Sequence, residues 1–170
     1  MDTYLAVASK RDWRSYAPDR PVPPEVERRI LDAGRVAGSA MNRQPWVFVV
    51  VESDDAKQRV AETVYAGDNI RTCAFAVAIA TQGAGYPLDV GRCTQNMFLA
   101  AWNEGVVSCP NGMADPEAAA RALGLDKGWL PLNIPSFGYP KRPQDPESKT
   151  GDEWSAEANR KPLDELIRRI

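Results

Sequence analysis

Residues 38–51 read Gly38-Ser39-Ala40-Met41-Asn42-Arg43-Gln44-Pro45-Trp46-Val47-Phe48-Val49-Val50-Val51. The second half is an unbroken apolar run rich in valine, which predicts a strand buried on both faces. The first half carries turn formers at both ends and predicts a loop that delivers the chain into that strand. Loops at strand ends are where ligands bind in sheets packed with helices. Ser39, Met41, Asn42 and Gln44 would then line such a loop, the plainer alternative being an ordinary helix-to-strand turn.

On the N-terminal side, residues 3–16 predict a first helix capped by Asp2, and Asp19 to Pro24 a proline-rich link. Pro24 suits the first turn of a second helix, where its missing N–H is not needed; Val26, Ile30, Ala33 and Ala37 continue it at helical spacing. On the C-terminal side, Ser53 and Asp54 cap a third helix reaching about Tyr65, and Phe75 to Ala80 is a second buried strand. Asp89 to Glu104 is the best helix, with Asp89 as its N-cap. Val90, Cys93, Met97 and Ala101 form its stripe, and Gly105 ends it. A short strand over Val106–Ser108, a helix from Asp115-Pro116-Glu117 to Gly124 and a strand around Ile134–Phe137 follow. Strands alternating with helices make a single mixed α/β (α+β) domain over residues 1–170.

The chain has 170 residues, enough to bury roughly 70% of its unfolded surface without a disulfide or metal staple. Lys plus Arg number 21 and Asp plus Glu 23, so no basic surplus exists to hold nucleic acid or an anionic membrane. The decisive count is zero histidine, which removes Ser-His-Asp and Cys-His catalysis and the HExxH zinc sites. Cys73, Cys93 and Cys109 fit no CxxC spacing and predict free thiols in a reducing compartment. Cys73 and Cys93 read as core, whereas Cys109 has a loop-like context. No apolar run reaches the roughly 18 residues of a membrane span, and Met1-Asp2-Thr3-Tyr4 lacks the basic start of a signal peptide; a cytoplasmic protein is expected. Gly83 and Gly85 make a Gly-x-Gly, but Leu88 stands where a dinucleotide fingerprint needs its third glycine, so a turn is expected.

Two basic groups remain. Lys10, Arg11 and Arg14 end the first predicted helix, where positions 10 and 14 would share a face. They suit a phosphate, whose oxygens match arginine forks; equally they suit a solvated helix end complementing the macrodipole. Arg160 and Lys161 lie far away in sequence. Residues 140–159 are polar, with Pro140, Pro143 and Pro146 and almost no apolar side chain but Trp154. A loop that long is usually functional or an arm crossing to another subunit.

Taken in order, these pieces resemble the nitroreductase superfamily of flavin enzymes. The resemblance rests on Lys10-Arg11-Asp12-Trp13-Arg14-Ser15-Tyr16, on Ser39-x-x-Asn42-x-Gln44-Pro45-Trp46, and on Asp89-Val90-Gly91 with Gln95-Asn96-Met97-Phe98-Leu99-Ala100-Ala101. Gly138-Tyr139-Pro140 and Arg160-Lys161-Pro162-Leu163-x-Glu165 complete it. It implies a nitroreductase-like fold with a mixed, mainly antiparallel sheet flanked by helices. It implies a homodimer in which residues 140–170 pack as an exchanged arm on the partner, with FMN at the interface. The segment of Lys10, Arg11, Asp12 and Arg14, with Arg160 and Lys161, would hold the FMN phosphate. Ser39, Ala40, Met41 and Asn42 would reach the flavin from the other subunit. Asn69 would face the pyrimidine edge, and Pro110, Asn111 and Gly112 would offer backbone amides to N5. No protein residue would be catalytic, because hydride passes between NAD(P)H, the flavin and a nitroaromatic, quinone or enone acceptor. Flavin fragmentation, dehalogenation, deazaflavin use and a non-catalytic flavin-binding dimer are the alternatives. Three positions depart from the family pattern. Asp12 stands for serine, Gly38 stands for proline, and only Gln82 to Leu88 separate the second strand from the Asp89 helix, where many members carry a covering insertion.

Overall fold

The computed structural model describes residues 1–82 and 85–170, in two compact units: Arg11–Gln144, and Met1–Lys10 with Asp145–Ile170. Gly83 of the Gly-x-Gly lies outside the described residues.

In the larger unit the sheet is organised around β2 (Phe75–Gln82). β1 (Trp46–Val51) runs antiparallel along one side, from Trp46↔Thr81 to Val51↔Ala76. The other side is shared by β5 (Ser136–Gly138) and β4 (Trp129–Asn133), with a register irregularity at Ile79/Ala80. β3 (Val107–Cys109) pairs with β5, giving the order β1-β2-β5-β3 with β4 off the path. Every strand pair is antiparallel.

The sequence of β2, Phe-Ala-Val-Ala-Ile-Ala-Thr-Gln, explains the layering. Side chains alternate across a strand, so Phe75, Val77 and Ile79 enter one core and Ala76 and Ala78 the other. The large residues meet Ile30 of α2 (Pro24–Arg35) and Val90, Cys93 and Met97 of α5 (Pro87–Asn103). Phe75 stacks on Phe137 with ring centroids 5.0 Å apart. The alanines leave room for Val60 of α3 (Asp54–Ala61), Ile70 of α4 (Gly67–Thr72) and Ala119 of α6 (Pro116–Ala122).

Several expectations change. β1 is an edge strand with Val47 38% exposed, so its valine run is half-buried rather than buried on both faces. The helix expected over 53–65 stops at Ala61 and a separate α4 follows. The strand expected around Ile134–Phe137 is two, β4 and β5, parted by Ile134 and Pro135. α5 begins at Pro87, so Asp89 lies within its first turn and Tyr86 is the cap.

The first helix, α1 (Thr3–Ser9), belongs to the smaller unit and ends well short of residue 16. Asp2 caps it by accepting from Leu5 N at 3.0 Å. The segment expected to be featureless holds α7 (Gly151–Ala156), started by a capping box between Thr150 and Glu153. Gly151 seats Tyr4, since a Cβ there would come 2.6 Å from Tyr4 Cδ1. Trp154 Nε1 donates to Pro146 O at 2.8 Å. The last helix, α8, is only Leu163–Leu166.

Candidate functional site

Residues 11–16 form an extended ribbon, not a helix. Asp12 bridges Ser108 in parallel and Trp13 N donates to Ser108 O at 3.0 Å. Tyr16 bridges Pro140, and Lys141 N donates to Ser15 O at 3.2 Å. The shared-face argument for Lys10 and Arg14 therefore fails. What replaces it is a ribbon running beside β3 in the same direction, so Arg14 follows Asp12 as Pro110 follows Ser108. Arg14 is exposed and has no carboxylate partner among the described residues. Ser108 Oγ is buried and unpartnered there.

Tyr16 anchors this ribbon. Its ring is 1% exposed and its hydroxyl lies 2.8 Å from Ser136 Oγ. Burial pushes the phenol pKa far above its ordinary value, against the smaller pull of the Ser136 hydrogen bond, so Tyr16 stays neutral. Ser136 Oγ in turn lies 3.1 Å from Asn111 Nδ2, which also donates to Ile134 O at 2.8 Å and Cys109 O at 3.3 Å. Asn111 Oδ1 accepts from Asn69 Nδ2 at 2.9 Å. The structure thus joins Asn69, on α4, to the Pro110–Gly112 run after β3. Gly112 O accepts from Tyr65 N at 3.0 Å, and a Cβ at Gly112 would press to 3.2 Å on the exposed Tyr65 ring.

The Ser39–Asn42 loop is built differently. Met41, Asn42 and Gln44 all have φ near +50° (51°, 52° and 49°), a left-handed conformation that costs side-chain-bearing residues. Ser39 Oγ holds the turn by accepting from Gln44 N at 2.9 Å, and Asp89 on α5 accepts from Ala40 N at 3.1 Å. Arg92, 4.0 Å from Asp89, places its guanidinium where a side chain at Gly38 would stand; a Cβ there would be 2.3 Å from Arg92 Nη2. Met41 is 77% exposed, and among the described residues no hydrogen bond joins this loop to Asn69 or Asn111.

Lys10, Arg160 and Lys161 belong to the smaller unit, where Arg160 Nη1 donates to Ala158 O at 2.8 Å. Cys109 is buried on β3 and its thiol donates to Pro110 O at 3.3 Å, which ends its reading as a loop thiol. Burial pushes the Cys73 and Cys93 thiols up to about 12. Among the described residues no three His, Cys, Asp or Glu gather to hold a metal, and no helix is long and apolar enough to cross a membrane. Tyr16, Ser136, Asp89 and Arg92 were missed as supporting residues. The available signal was a serine and a tyrosine inside apolar surroundings, which need partners when buried.

A site with neutral buried groups, a solvent-facing arginine and a buried amide pair is fitted to hold a ligand rather than to shuttle protons. Its frame is an antiparallel sheet flanked by helices, an α+β fold. The model of the nitroreductase family matches residues 7–67 and 65–139, and the chain belongs to that family. A protein of Archaeoglobus fulgidus, provisionally named an NADH dehydrogenase/NAD(P)H nitroreductase, is 29% identical over 150 residues, 82% of this chain and 86% of the relative. A protein of Desulfovibrio desulfuricans, provisionally named a nitroreductase and solved in complex with FMN, superposes with a TM-score of 0.82 at 26% identity; the match covers 100% of this chain and 98% of that one. A nitroreductase family protein of Clostridium difficile 630 shares the fold, with a TM-score of 0.81 at 23% identity over 99% and 98% of the two chains.

Proposed function

We propose that this chain is an FMN-dependent oxidoreductase that passes hydride from NAD(P)H to a small acceptor such as a nitroaromatic, quinone or enone. The observation that carries the reading is the ribbon of residues 11–16 beside β3. In it Asp12 pairs with Ser108 in parallel, so Arg14, which has no carboxylate partner among the described residues, and the Pro110–Gly112 run each follow within two residues of the paired positions. A dianionic phosphate needs permanent cations, and arginine forks match its oxygens. Arg11 and Arg14 would hold it, and Lys10, Arg160 and Lys161 are the further cations that the resemblance implies for a phosphate. Asn69, Asn111 and Gly112 would hold the ring, which supplies the hydride chemistry. The strained loop of Ser39, Ala40, Met41 and Asn42 would close over a partner subunit's flavin in a homodimer working in the cytoplasm. The absence of histidine and of any accessible thiol is consistent with chemistry borne by a cofactor.

The test is the purified protein itself. Mass analysis of the released cofactor is expected to give FMN, and NADH or NADPH is expected to bleach the visible flavin absorbance under argon. Release of FAD rejects the cofactor assignment. FMN that neither nucleotide bleaches rejects the enzyme in favour of a non-catalytic flavin-binding dimer.

A further inference from the structure

Tyr65 is the most exposed aromatic side chain among the described residues, at 79%. Its backbone is nevertheless fixed. Residues 63–65 and 112–114 pair as a short antiparallel ribbon, in which Ala114 N donates to Thr63 O and Tyr65 N to Gly112 O, both at 3.0 Å. Val64 is buried in the core and Met113 opposite it packs against the same core, so alternation turns Tyr65 the other way, into solvent. The Tyr65 ring lies where a side chain of residue 112 would stand: a Cβ at Gly112 would come 3.2 Å from Cδ2 and 3.5 Å from Cε2. Gly112 is not among the glycines with positive φ, so what the glycine supplies here is room for that ring. The other exposed apolar side chains of the larger unit, Val36, Met41, Val47, Leu88 and Leu132, are not aromatic, and Tyr4 belongs to the smaller unit. Among the described residues, Tyr65 therefore presents the one exposed aromatic face of the larger unit.

We propose that Tyr65 sets the specificity for the acceptor: its ring is the face on which a planar, electron-poor ring stacks, so quinones and nitroaromatics are taken in preference to aliphatic enones. The proposal rests on the flavin reading above, in which Gly112 belongs to the backbone run assigned to the flavin N5. An acceptor must lie against the atom that gives up hydride, and the side chain seated on Gly112 stands beside that run. The face of a tyrosine ring is electrostatically negative. The depleted ring of a quinone or nitroarene complements it, whereas an aliphatic enone has no ring face to offer. Tyrosine makes such a contact at low entropic cost, having only two side-chain torsions to fix, and the paired backbone of residues 63–65 holds its Cα in place. Overall, NAD(P)H and one solvent proton convert a quinone to the quinol and leave NAD(P)+. Tyr65 exchanges neither electron nor proton in this and acts only on where the acceptor lies.

The experiment uses the purified flavoprotein, titrated to full reduction with dithionite under argon, and follows its reoxidation by menadione, cyclohexenone and ferricyanide in a stopped-flow instrument. Tyr65→Ala is expected to raise the half-saturating menadione concentration about 3- to 10-fold, the range for one aromatic pair. The limiting rate, and reoxidation by ferricyanide, which needs no stacking, are expected to match the parent. So is reoxidation by cyclohexenone. Tyr65→Phe is expected to keep the parent's menadione value, since the ring and not the hydroxyl makes the contact. Tyr65→Leu, apolar but without a ring face, is expected to lose the same factor and decides the matter should Tyr65→Ala fail to fold. Unchanged menadione saturation in both the alanine and leucine variants overturns the role of Tyr65 and leaves the flavin reading standing. A smaller size on gel filtration for Tyr65→Ala than for the parent assigns the ring to a subunit contact and overturns it as well. A parent that carries no flavin, or whose reduced flavin none of the three acceptors reoxidises, overturns the flavin reading and the proposal together.

Discussion

Gly138 shows how one missing side chain shapes the site. A Cβ at this position would come within 2.8 Å of Tyr16 Cδ1 and 3.3 Å of the Ala74 backbone nitrogen. Tyr16 has nowhere to retreat, because its ring is buried and its hydroxyl is tied to Ser136. Gly138→Ala should therefore cost about 1–3 kcal/mol, the range for overpacking a filled core, read as a lower urea midpoint. At Gly34 the obstructing atom is the end of a flexible Met97 side chain, 2.3 Å from the added Cβ, and the same change there should cost less. A second residue-level effect concerns acid. Glu27 and Glu52 line a cleft of about 360 Å³ with Asp19, Arg20 and Lys57. Burial first, then the Glu52 charge and a hydrogen bond to Glu52, raise the Glu27 pKa. The folded protein thus keeps a proton that the unfolded chain releases near about pH 4.3. Stability should fall as pH rises from there through the folded value and level off above it. Glu27→Gln should flatten that slope and stabilise the neutral-pH protein by no more than about 1 kcal/mol, since solvent screens the pair. Urea midpoints of both proteins at acid and neutral pH check the sign; a parent that gains stability over this window contradicts it.

Among the elements, those with strong periodicity were legible and those held by long-range pairing were not. β2 and α5 follow from their apolar patterns alone, and α5 differs from expectation only at its first turn. The ribbon 11–16 has no strand pattern of its own. Its conformation is set by partners at Ser108 and Pro140, which lie far along the chain, so local spacing extended the preceding helix through it. β1 shows the converse error: its valines suit a strand, but whether both faces are covered depends on its place at the sheet edge. In the site, Asn69 and Asn111 were legible only through family resemblance, because nothing local tells a buried amide from an exposed one. The loop of Ser39–Asn42 was legible as a loop, but its anchor was not. Asp89, expected to cap its own helix, instead accepts from Ala40 N, and Arg92 fills the space opposite Gly38. The space beside Gly38 is thus taken by an arginine from α5. Asp89→Ala should release the loop at a cost of about 1.5–3 kcal/mol, the value of a hydrogen bond to a charged acceptor. It should also speed proteolytic nicking between Ser39 and Gln44. Unchanged stability and unchanged cleavage would show that the loop holds itself.

For the molecule as a whole, the C-terminal segment is the part that calls for a cover. Residues 159–170 are exposed throughout, with Leu163 at 69%, Leu166 at 62% and Ile167 at 42%. Such a row of apolar side chains on a short helix is rarely left in water. By contrast, Gly151–Ala156 already pack with α1 of the same chain, so the arm is not uniformly free. Packing on α1 and packing on a partner are compatible, so the arm proposed to lie on a partner still runs over residues 140–170, and the part after Ala158 is its most exposed stretch. That part also carries Arg160, which the proposed function assigns to the FMN phosphate. Dimerisation, flavin retention and residues 159–170 should then be coupled. Ending the chain after Ala158 keeps the capping box at Thr150 and the Trp154 bond to Pro146, so the smaller unit should still form. The shortened protein should be colourless and should elute as a monomer or aggregate, whereas the full chain is expected to elute as a yellow dimer. Arg160→Ala in the full chain separates the two contributions. It removes one charge-assisted phosphate contact and should weaken FMN binding about 10- to 150-fold, with the dimer intact. If the shortened protein stays a yellow dimer of unchanged melting temperature, residues 159–170 are a solvated tail and the phosphate is held by the ribbon of Arg11 and Arg14 alone.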